Sequence, residues 1–494
     1  MQFPILSVIV FTPIAAAILL FMLPGERKGE IRVTALAAAS IALVLSLWVY
    51  FSYDTAQGGY QFMEQIAWLP QMGVSYFVGV DGMSAPLVLL AGIVMFTGVL
   101  ISWGLDDRPR EFFAFLFILA TGVFGVFVSL DLFMLFFFYE IAVFPMYLLI
   151  GIWGWKETRE YAAMKLTLYL FIGSVIALVG ALAMYLQAES SLGKLTFNML
   201  ELEKAGYPLL FQQVWFPFVF LGFGVLGGIF PFHNWSPDGH VAAPTAVSMF
   251  HAGVLMKLGA FAALRVGVML LPEGAKTHMG WIILLALVNV VYGAFIASVQ
   301  RDFKYVIGFS SVSHMGLVMM GFATLNRDGM LGAGLQMFSH GVMTALFFAV
   351  VGMVYDQAHT REIPKLGGFA QKMPWAMVCF VIAGLVSMGM PGFSGFIAEF
   401  PIFMGVWQAQ SWIAIVAAIS IVVTASYIIR VIRNVFFGTL PEEFEGHVHD
   451  ITVLDKVALS FLSIFLVGLG VYPSFMVPMV ESGVQSILRI LGGA

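Results

Sequence analysis

Residues 131–153 of the chain read DLFMLFFFYEIAVFPMYLLIGIW, an apolar run that carries one charged side chain, Glu140, beyond its first residue. A run of about 20 apolar residues can cross a hydrocarbon core of about 30 Å as a helix. Lipid offers the backbone no hydrogen bonds, so a spanning segment must be helical or belong to a closed barrel. Because such runs recur along the whole chain and do not alternate, the sequence predicts an all-α polytopic membrane protein.

The composition excludes several classes of function. Of the 494 residues, 61% are hydrophobic and 10% are charged, and the mean hydropathy is +0.95, so water is not the main solvent. The net charge of −5 indicates no nucleic-acid partner. The single cysteine, Cys379, excludes a disulfide framework and a protein-ligated iron–sulfur cluster. No nucleotide-binding or zinc-protease motif is present, so any redox chemistry would belong to another chain.

The apolar runs predict about 14 transmembrane helices. The first run lacks a basic region before it, which favours a membrane helix over a cleaved signal peptide. The longer polar connections, 53–77 and 188–212, are predicted to lie on the surface. The predicted helices are 3–23, 31–52, 78–102, 111–129, 131–153, 163–187, 213–231, 243–271, 280–299, 304–325, 330–356, 374–403, 410–436 and 455–480.

The distribution of basic residues predicts the orientation. With these helices, fifteen Lys and Arg residues fall in the loops of one side and five in the loops of the other. Basic loops stay on the cytoplasmic side of a membrane. Both termini are therefore predicted on the outer side, which for a bacterial inner membrane is the periplasm.

Two of the predicted helices contain glycine and proline at membrane depth. Residues 227–233 read GGIFPFH, and residues 389–395 read GMPGFSG. Proline removes a backbone donor and glycine weakens a helix. Interrupted segments at corresponding places in two halves of a chain are typical of inverted-repeat transporters, although an ordinary kink is the alternative at each place.

Charged side chains inside the apolar runs are the first candidate site residues. A charge at the bilayer centre costs at least about 2.5 kcal/mol, so it is retained for a reason. Glu140, Lys257 and Glu399 all lie within predicted helices. Lys165, near the start of the helix after Glu140, is predicted to neutralise it. A proton path and a set of structural ion pairs both remain open, and a desolvated lysine favours the path because it exchanges protons readily.

Histidines extend this set. His314 and His340 lie within predicted helices, and His233 and His251 lie nearer the first interruption. A lone buried histidine is usually a satisfied core residue. Several histidines between a lysine and a glutamate are better interpreted as a relay, because imidazole gives and takes protons near pH 7.

Several strings that contain these residues resemble those of the antiporter-like membrane subunits of bacterial NADH-quinone oxidoreductase (complex I). The family also includes Mrp-type cation/proton antiporters and membrane-bound hydrogenase subunits, and its subunit M branch fits best by length and by the string 139–154. The motifs span most of the chain in the same order and spacing. They are residues 139–154, 231–240, 243–246, 253–257, 302–304, 309–316 and 390–392.

The resemblance implies an architecture and a set of roles. It implies two inverted five-helix repeats, each with a broken helix, and a subunit of a translocating enzyme that has no redox centre of its own. Other subunits would bind NADH, flavin, Fe–S clusters and quinone, and the partners would be the L and N subunits, the quinone-site subunits and the lipid bilayer. The implied segments are the N-terminal residues 1–110, the repeats 111–271 and 280–436, and the C-terminal residues 437–494. The implied proton-transfer residues are Glu140, Lys165, His233, His251, Lys257, His314, His340 and Glu399.

One position departs from the family. The family carries a lysine five residues before Pro231, where this chain has Leu226, and His251 is the candidate replacement. Three functions therefore remain open. They are a proton-translocating subunit of a respiratory NADH:quinone oxidoreductase, a subunit of a cation/proton antiporter without a redox partner, and a structural membrane subunit that no longer pumps.

Overall fold

The apolar runs form a helical bundle in the computed structural model, which describes residues 3–492. Within those residues, 12 helices are long and apolar enough to cross a membrane, and two shorter apolar helices accompany them. The all-α membrane class is confirmed, while the count of fourteen spans remains a prediction. The helices of the first half are α1 (Ile5–Met22), α2 (Lys28–Ser52), α3 (Ala85–Ile101), α4 (Pro109–Val128), α5 (Leu132–Trp153), α6 (Arg159–Leu192), α7 (Met199–Leu202), α8 (Leu209–Gly227), α9 (Trp235–Ala242), α10 (Thr245–Phe250) and α11 (Met256–Ala262).

The second half continues the bundle. Its helices are α12 (Pro272–Val299), α13 (Phe303–Ala323), α14 (Arg327–Ala358), α15 (Pro374–Ser387), α16 (Ser394–Val431), α17 (Val453–Val471) and α18 (Val477–Ile490). Two π-helical segments, His251–Leu255 and Ala263–Val268, join α10 and α11 into one span, Thr245–Val268. This span and α14 are buried along their whole apolar length, whereas α1, α2, α6 and α16 expose apolar side chains on the outside of the bundle.

Both predicted interruptions are present. The α8 helix ends at Gly228, which has a positive φ of 74°, and α9 begins seven residues later, at Trp235. The α15 helix ends at Ser387, and Gly389 and Gly392 have φ values of 64° and 92° before α16 begins. These positive φ values suit glycine because it has no Cβ. The α16 helix bends at Gln410, where the second of the predicted helices 374–403 and 410–436 begins.

Asn289 of α12 stabilises the first break by hydrogen bonds to its backbone. Its Nδ2 donates to the Gly228 carbonyl at 2.7 Å, and its Oδ1 accepts from the Phe230 N–H. We expect Asn289→Leu to lower the free energy of unfolding by about 1–3 kcal/mol, because two backbone groups then stay buried without partners. Chemical unfolding in detergent measures this. Ser298→Ala on the same helix, where the half-buried hydroxyl bonds only the Phe295 carbonyl, is the control, and equal stability of the two variants would contradict the role of Asn289.

The connection 53–77 contains part of a two-stranded hairpin, which corrects the predicted start of the third helix. Strands β1 (Gln61–Leu69) and β2 (Val74–Val80) pair antiparallel around Gly73, so α3 begins at residue 85 rather than 78. Glu64 of β1 accepts from the backbone N–H of Leu6 at 2.9 Å, and Asp131 accepts from the Ser75 N–H at 2.9 Å. The hairpin therefore caps the start of α1 and fixes the loop before α5.

The C-terminal prediction is also corrected. The last spanning helix ends at Val471 rather than near residue 480, because the turn at Pro473 interrupts it. A separate amphipathic helix, α18, follows. Its buried side packs on α14, and Glu481 on its polar side pairs with Arg327 at 2.7 Å.

Two aspartates support the interpretation of the chain as a repeat. Asp131 caps α5 by accepting from the N–H groups two and three residues later, and Asp302 caps α13 in the same way. Each also lies in a short antiparallel bridge, to Asn198 and to Glu362 respectively. The two helices are the second members of the two predicted five-helix groups. The inverted repeat itself remains a prediction.

Candidate functional site

Lys257 lies at the centre of the bundle. It is fully buried, directly after the π-helical segment His251–Leu255, and its Nζ donates to the Ala252 carbonyl. A π-helical turn inside an α-helix displaces backbone carbonyls from their usual partners, which gives the ammonium an acceptor. Among residues 3–492, no carboxylate lies within ion-pair distance of it. The interpretation of Lys257 as one half of a structural ion pair is therefore not supported, because no described carboxylate pairs with it.

Two imidazoles lie beside the first break. The ring centroids of His240 and His251 are 4.1 Å apart, and Trp235 stacks on His251 at 5.1 Å. The Ser236 hydroxyl lies 2.9 Å from Nε2 of His240. Nδ1 of His240 and both ring nitrogens of His251 are buried and have no hydrogen-bond partner among the described residues. These nitrogens are available to exchange protons with each other.

A second group surrounds the other break. His314 Nε2 lies 3.4 Å from Glu399 Oε1, and its ring is stacked on that of His340 at 5.3 Å. Glu399 also accepts from Gln336 Nε2 at 3.0 Å. The group joins α13, α14 and α16, and all four side chains are buried. Such a carboxylate and two imidazoles can pass a proton between neighbouring atoms.

Lys257 connects the two groups. The span Thr245–Val268 that carries it contacts α9, α13 and α14, which carry His240, His314 and His340. These contacts bring Lys257 and the sequence-distant residues of the two groups into one buried row. Lys257, His251, His314, His340 and Glu399 are therefore brought together as a set, although the sequence could not give their distances.

Three predicted site residues lie elsewhere. Lys165 Nζ donates to Asp238 at 2.7 Å, so the predicted neutralisation of Glu140 by Lys165 is wrong. Glu140 is exposed on the outside of α5 and does not belong to the buried row. His233 is buried between Phe230 and Tyr292, away from the other imidazoles.

Sequence reasoning missed three functional candidates. His240 stands four residues after Ser236, and this helical spacing brings their side chains together. Gln336 stands four residues before His340 on α14, so it faces the same buried row. The Asp238 carboxylate accepts hydrogen bonds from both Lys165 Nζ and the Tyr305 hydroxyl, the latter at 2.8 Å. The first two could have been found from spacing alone, whereas the partners of Asp238 come from distant regions of the chain.

A polar cavity of about 780 Å³ opens on the side predicted to face the cytoplasm. Lys304 lies in its wall and donates at 2.5 Å to the carbonyl of Ala243, which follows His240 by three residues and also lines the cavity. The cavity also meets Arg361, which lies 4.0 Å above the Trp155 ring and pairs with Asp302. Among residues 3–492, no group of three or more His, Cys, Asp or Glu side chains is arranged to hold a metal ion.

Comparisons with known proteins show which family the chain is similar to. A family model described as "NADH:quinone oxidoreductase/Mrp antiporter, TM" matches residues 129–424. NADH-quinone oxidoreductase subunit M from Rhodobacter capsulatus is 36% identical over 498 residues, covering 98% of this chain and 96% of that protein. A chain of respiratory complex I from Thermus thermophilus has a TM-score of 0.90 at 26% identity, covering 99% of this chain and 100% of that one. A chain of the Mrp complex from Dietzia has a TM-score of 0.87 at 17% identity over 100% of both chains, which shows a shared fold.

Proposed function

The chain belongs to the NADH:quinone oxidoreductase/Mrp antiporter family, and from this premise we propose that it is a proton-translocating membrane subunit of a respiratory NADH:quinone oxidoreductase. Quinone reduction elsewhere in the complex would drive protons through the buried row. One observation carries the proposal: Lys257 is fully buried at the centre of the bundle, and among residues 3–492 its ammonium contacts a backbone carbonyl and no carboxylate.

The proposed path runs from Lys257 through His314 and His340 to Glu399. Each step needs a donor and an acceptor close together, and side-chain rotation or water covers the gaps. The 3.4 Å contact between His314 Nε2 and Glu399 Oε1 links two titratable groups of this row directly. When Lys257 is protonated it has no counter-ion among the described residues, so a positive charge that approaches it favours release of its proton.

Glu140 has a different proposed role. It is exposed on α5 between the exposed apolar side chains Phe137 and Phe144. A carboxylate on a lipid-facing surface is costly, so a partner that supplies polar contacts would cover it. We place a neighbouring membrane subunit on this face, where Glu140 would receive the electrostatic signal. Lys165, paired with Asp238, would carry that signal inward, and His233 would serve the region of the first break.

The remaining assignments follow from the family. The chain acts within an enzyme complex in which other subunits bind NADH, flavin, Fe–S clusters and quinone. Its proposed partners are the antiporter-like L and N subunits and the quinone-site subunits. We place it in a bacterial inner membrane with both termini on the periplasmic side. The proposed repeats are 111–271 and 280–436, flanked by the segments 1–110 and 437–494.

Leu226 supports a second candidate function. It is fully buried beside α11 and cannot carry a proton, which favours a structural subunit that does not pump. Two single variants, Leu226→Lys and Lys257→Ala, distinguish a proton-translocating subunit from a structural one. If neither change alters pumping, the structural subunit is favoured. A cation/proton antiporter without a redox partner would instead exchange ions across vesicles in the absence of electron transfer.

Glu399→Gln gives the direct test of the far end of the path. The amide keeps the size of the carboxylate and its contact with Gln336, but it cannot take up a proton. We expect proton translocation to fall by about 100-fold, the lower range for a positioned acid–base group, while the protein still assembles. Acidification of membrane vesicles at matched NADH oxidation measures it. The control Glu273→Gln removes an exposed carboxylate, and equal acidification in both variants would exclude Glu399 from the path.

A further inference from the structure

The contact between His240 and His251 is built into the fold. Trp235 holds one face of the His251 ring, and its own Nε1 is fixed by the Val225 carbonyl at 2.9 Å. Gly239 leaves the space for the ring edge, since a Cβ there would lie 2.8 Å from Cε1 of His251. The two rings are therefore positioned by three elements: α8, α9 and the π-helical segment that carries His251.

Burying the ring nitrogens of this pair without hydrogen-bond partners lowers the stability of the fold. Three of its four ring nitrogens are buried and have no partner among the described residues, and each unsatisfied polar group costs about 1–3 kcal/mol. Apolar side chains of similar size would avoid this cost. Two rings whose centroids lie 4.1 Å apart can instead share one proton once a ring rotation points one nitrogen at the other, since a protonated imidazole donates and a neutral one accepts.

The surroundings give the pair a direction. Val241, the residue after His240, lines the cavity together with Lys304, and Lys257 donates to the carbonyl of Ala252, the residue after His251. A charged Lys257 would repel an extra proton on the pair, so the pair can pass a proton only to the neutral Lys257 amine. A proton that enters from the cavity therefore moves on to the Lys257 amine.

We propose that His240 and His251 act as one proton-carrying unit between the inner cavity and Lys257, in the region where Leu226 offers no titratable side chain. This proposal rests on the proposed function of the row. The proton binds a ring nitrogen of one imidazole, passes across the contact, and leaves the other imidazole for the Lys257 amine. No bond between heavy atoms forms or breaks.

The test uses His240→Gln, His251→Gln and the double variant in the assembled complex. Glutamine keeps a polar side chain but cannot carry a proton at neutral pH. We expect each single variant to slow proton translocation by about 100-fold, and the double variant to be no slower than either, since groups that act as a unit are not additive. His278→Gln, on the surface of α12 and bonded to the Gln213 carbonyl, is the matched control.

Two further measurements keep the test clear of misfolding. Electron transfer to quinone in uncoupled vesicles reports assembly, and infrared difference spectra of vesicles report the protonated imidazole pair. We expect both single variants to lose the same infrared signal while uncoupled electron transfer remains. Normal pumping in His251→Gln together with a pumping defect in Lys257→Ala would overturn the proposal for the histidine pair and leave the proposed function standing. Independent, additive losses would overturn the shared unit, and normal pumping in Lys257→Ala as well would overturn the proposed function.

Discussion

Replacing Lys257 with alanine is expected to slow proton translocation by about 100-fold or more. The variant is expected to be at least as stable to unfolding as the unaltered protein. The ammonium is fully buried and has only the Ala252 carbonyl as a partner among the described residues. A charge in this position costs stability, so its removal offsets the small cavity that alanine leaves. A structural lysine would behave in the opposite way, because its loss would leave a carboxylate unpaired.

The measurement for Lys257→Ala pairs two readouts. Chemical unfolding in detergent gives the stability, and vesicle acidification at matched NADH oxidation gives the translocation. Lys276→Ala, an exposed lysine paired with Glu273, is the control for both. Loss of stability with unaltered acidification would show that Lys257 is structural.

The second large effect concerns Asp81 and Arg265, a buried ion pair at 2.8 Å. Arg265 also donates to the Tyr60 hydroxyl at 2.6 Å, so the pair ties the C-terminal end of the Thr245–Val268 span to the loops around β1 and β2. Breaking a buried pair by removing one partner costs about 3–5 kcal/mol. We expect Asp81→Leu to lower the free energy of unfolding by this amount, since it leaves the guanidinium buried and unpaired.

The double variant Asp81→Leu, Arg265→Met is expected to recover most of this loss, because no charge then remains buried. Glu30→Gln, which removes an exposed pair with Arg27, is expected to cost about 0–1 kcal/mol. Unfolding of the purified protein in detergent measures all three. Equal losses in Asp81→Leu and Glu30→Gln would contradict the account of the buried pair.

The pair also has a pH dependence. Burial raises the pKa of the Asp81 carboxyl, but the Arg265 guanidinium outweighs this effect and holds the pKa below its usual value. The carboxylate therefore contributes stability above the pKa of the unfolded chain, and this contribution is lost as the pH falls through the lower folded pKa.

The helices could be predicted because their signal is local. Length and apolar composition place α5 and α14 within a few residues, and glycine with proline places both breaks. The β1–β2 hairpin was missed because its pairing depends on Gly73 and on contacts with Glu64 and Asp131, which lie in different regions of the sequence. The start of α18 was missed because the turn at Pro473 stands inside an otherwise apolar stretch.

The candidate site was only partly predicted for a similar reason. Lys257 and Glu399 are visible in the sequence as isolated charges within apolar runs, and the structure places both inside the bundle. The partner of Lys165 could not be found in this way, because Asp238 lies 73 residues further along the chain. The exposure of Glu140 was equally hidden, since an apolar helix does not reveal which of its sides faces its neighbours.

The proton-to-electron ratio of the assembled complex tests the central claim most directly. It is measured in membrane vesicles during NADH oxidation, for the unaltered protein and for the double variant Lys257→Ala, Glu399→Ala. A proton-translocating subunit predicts a lower ratio in the double variant while electrons still reach quinone. A ratio equal to that of the unaltered protein would contradict the account.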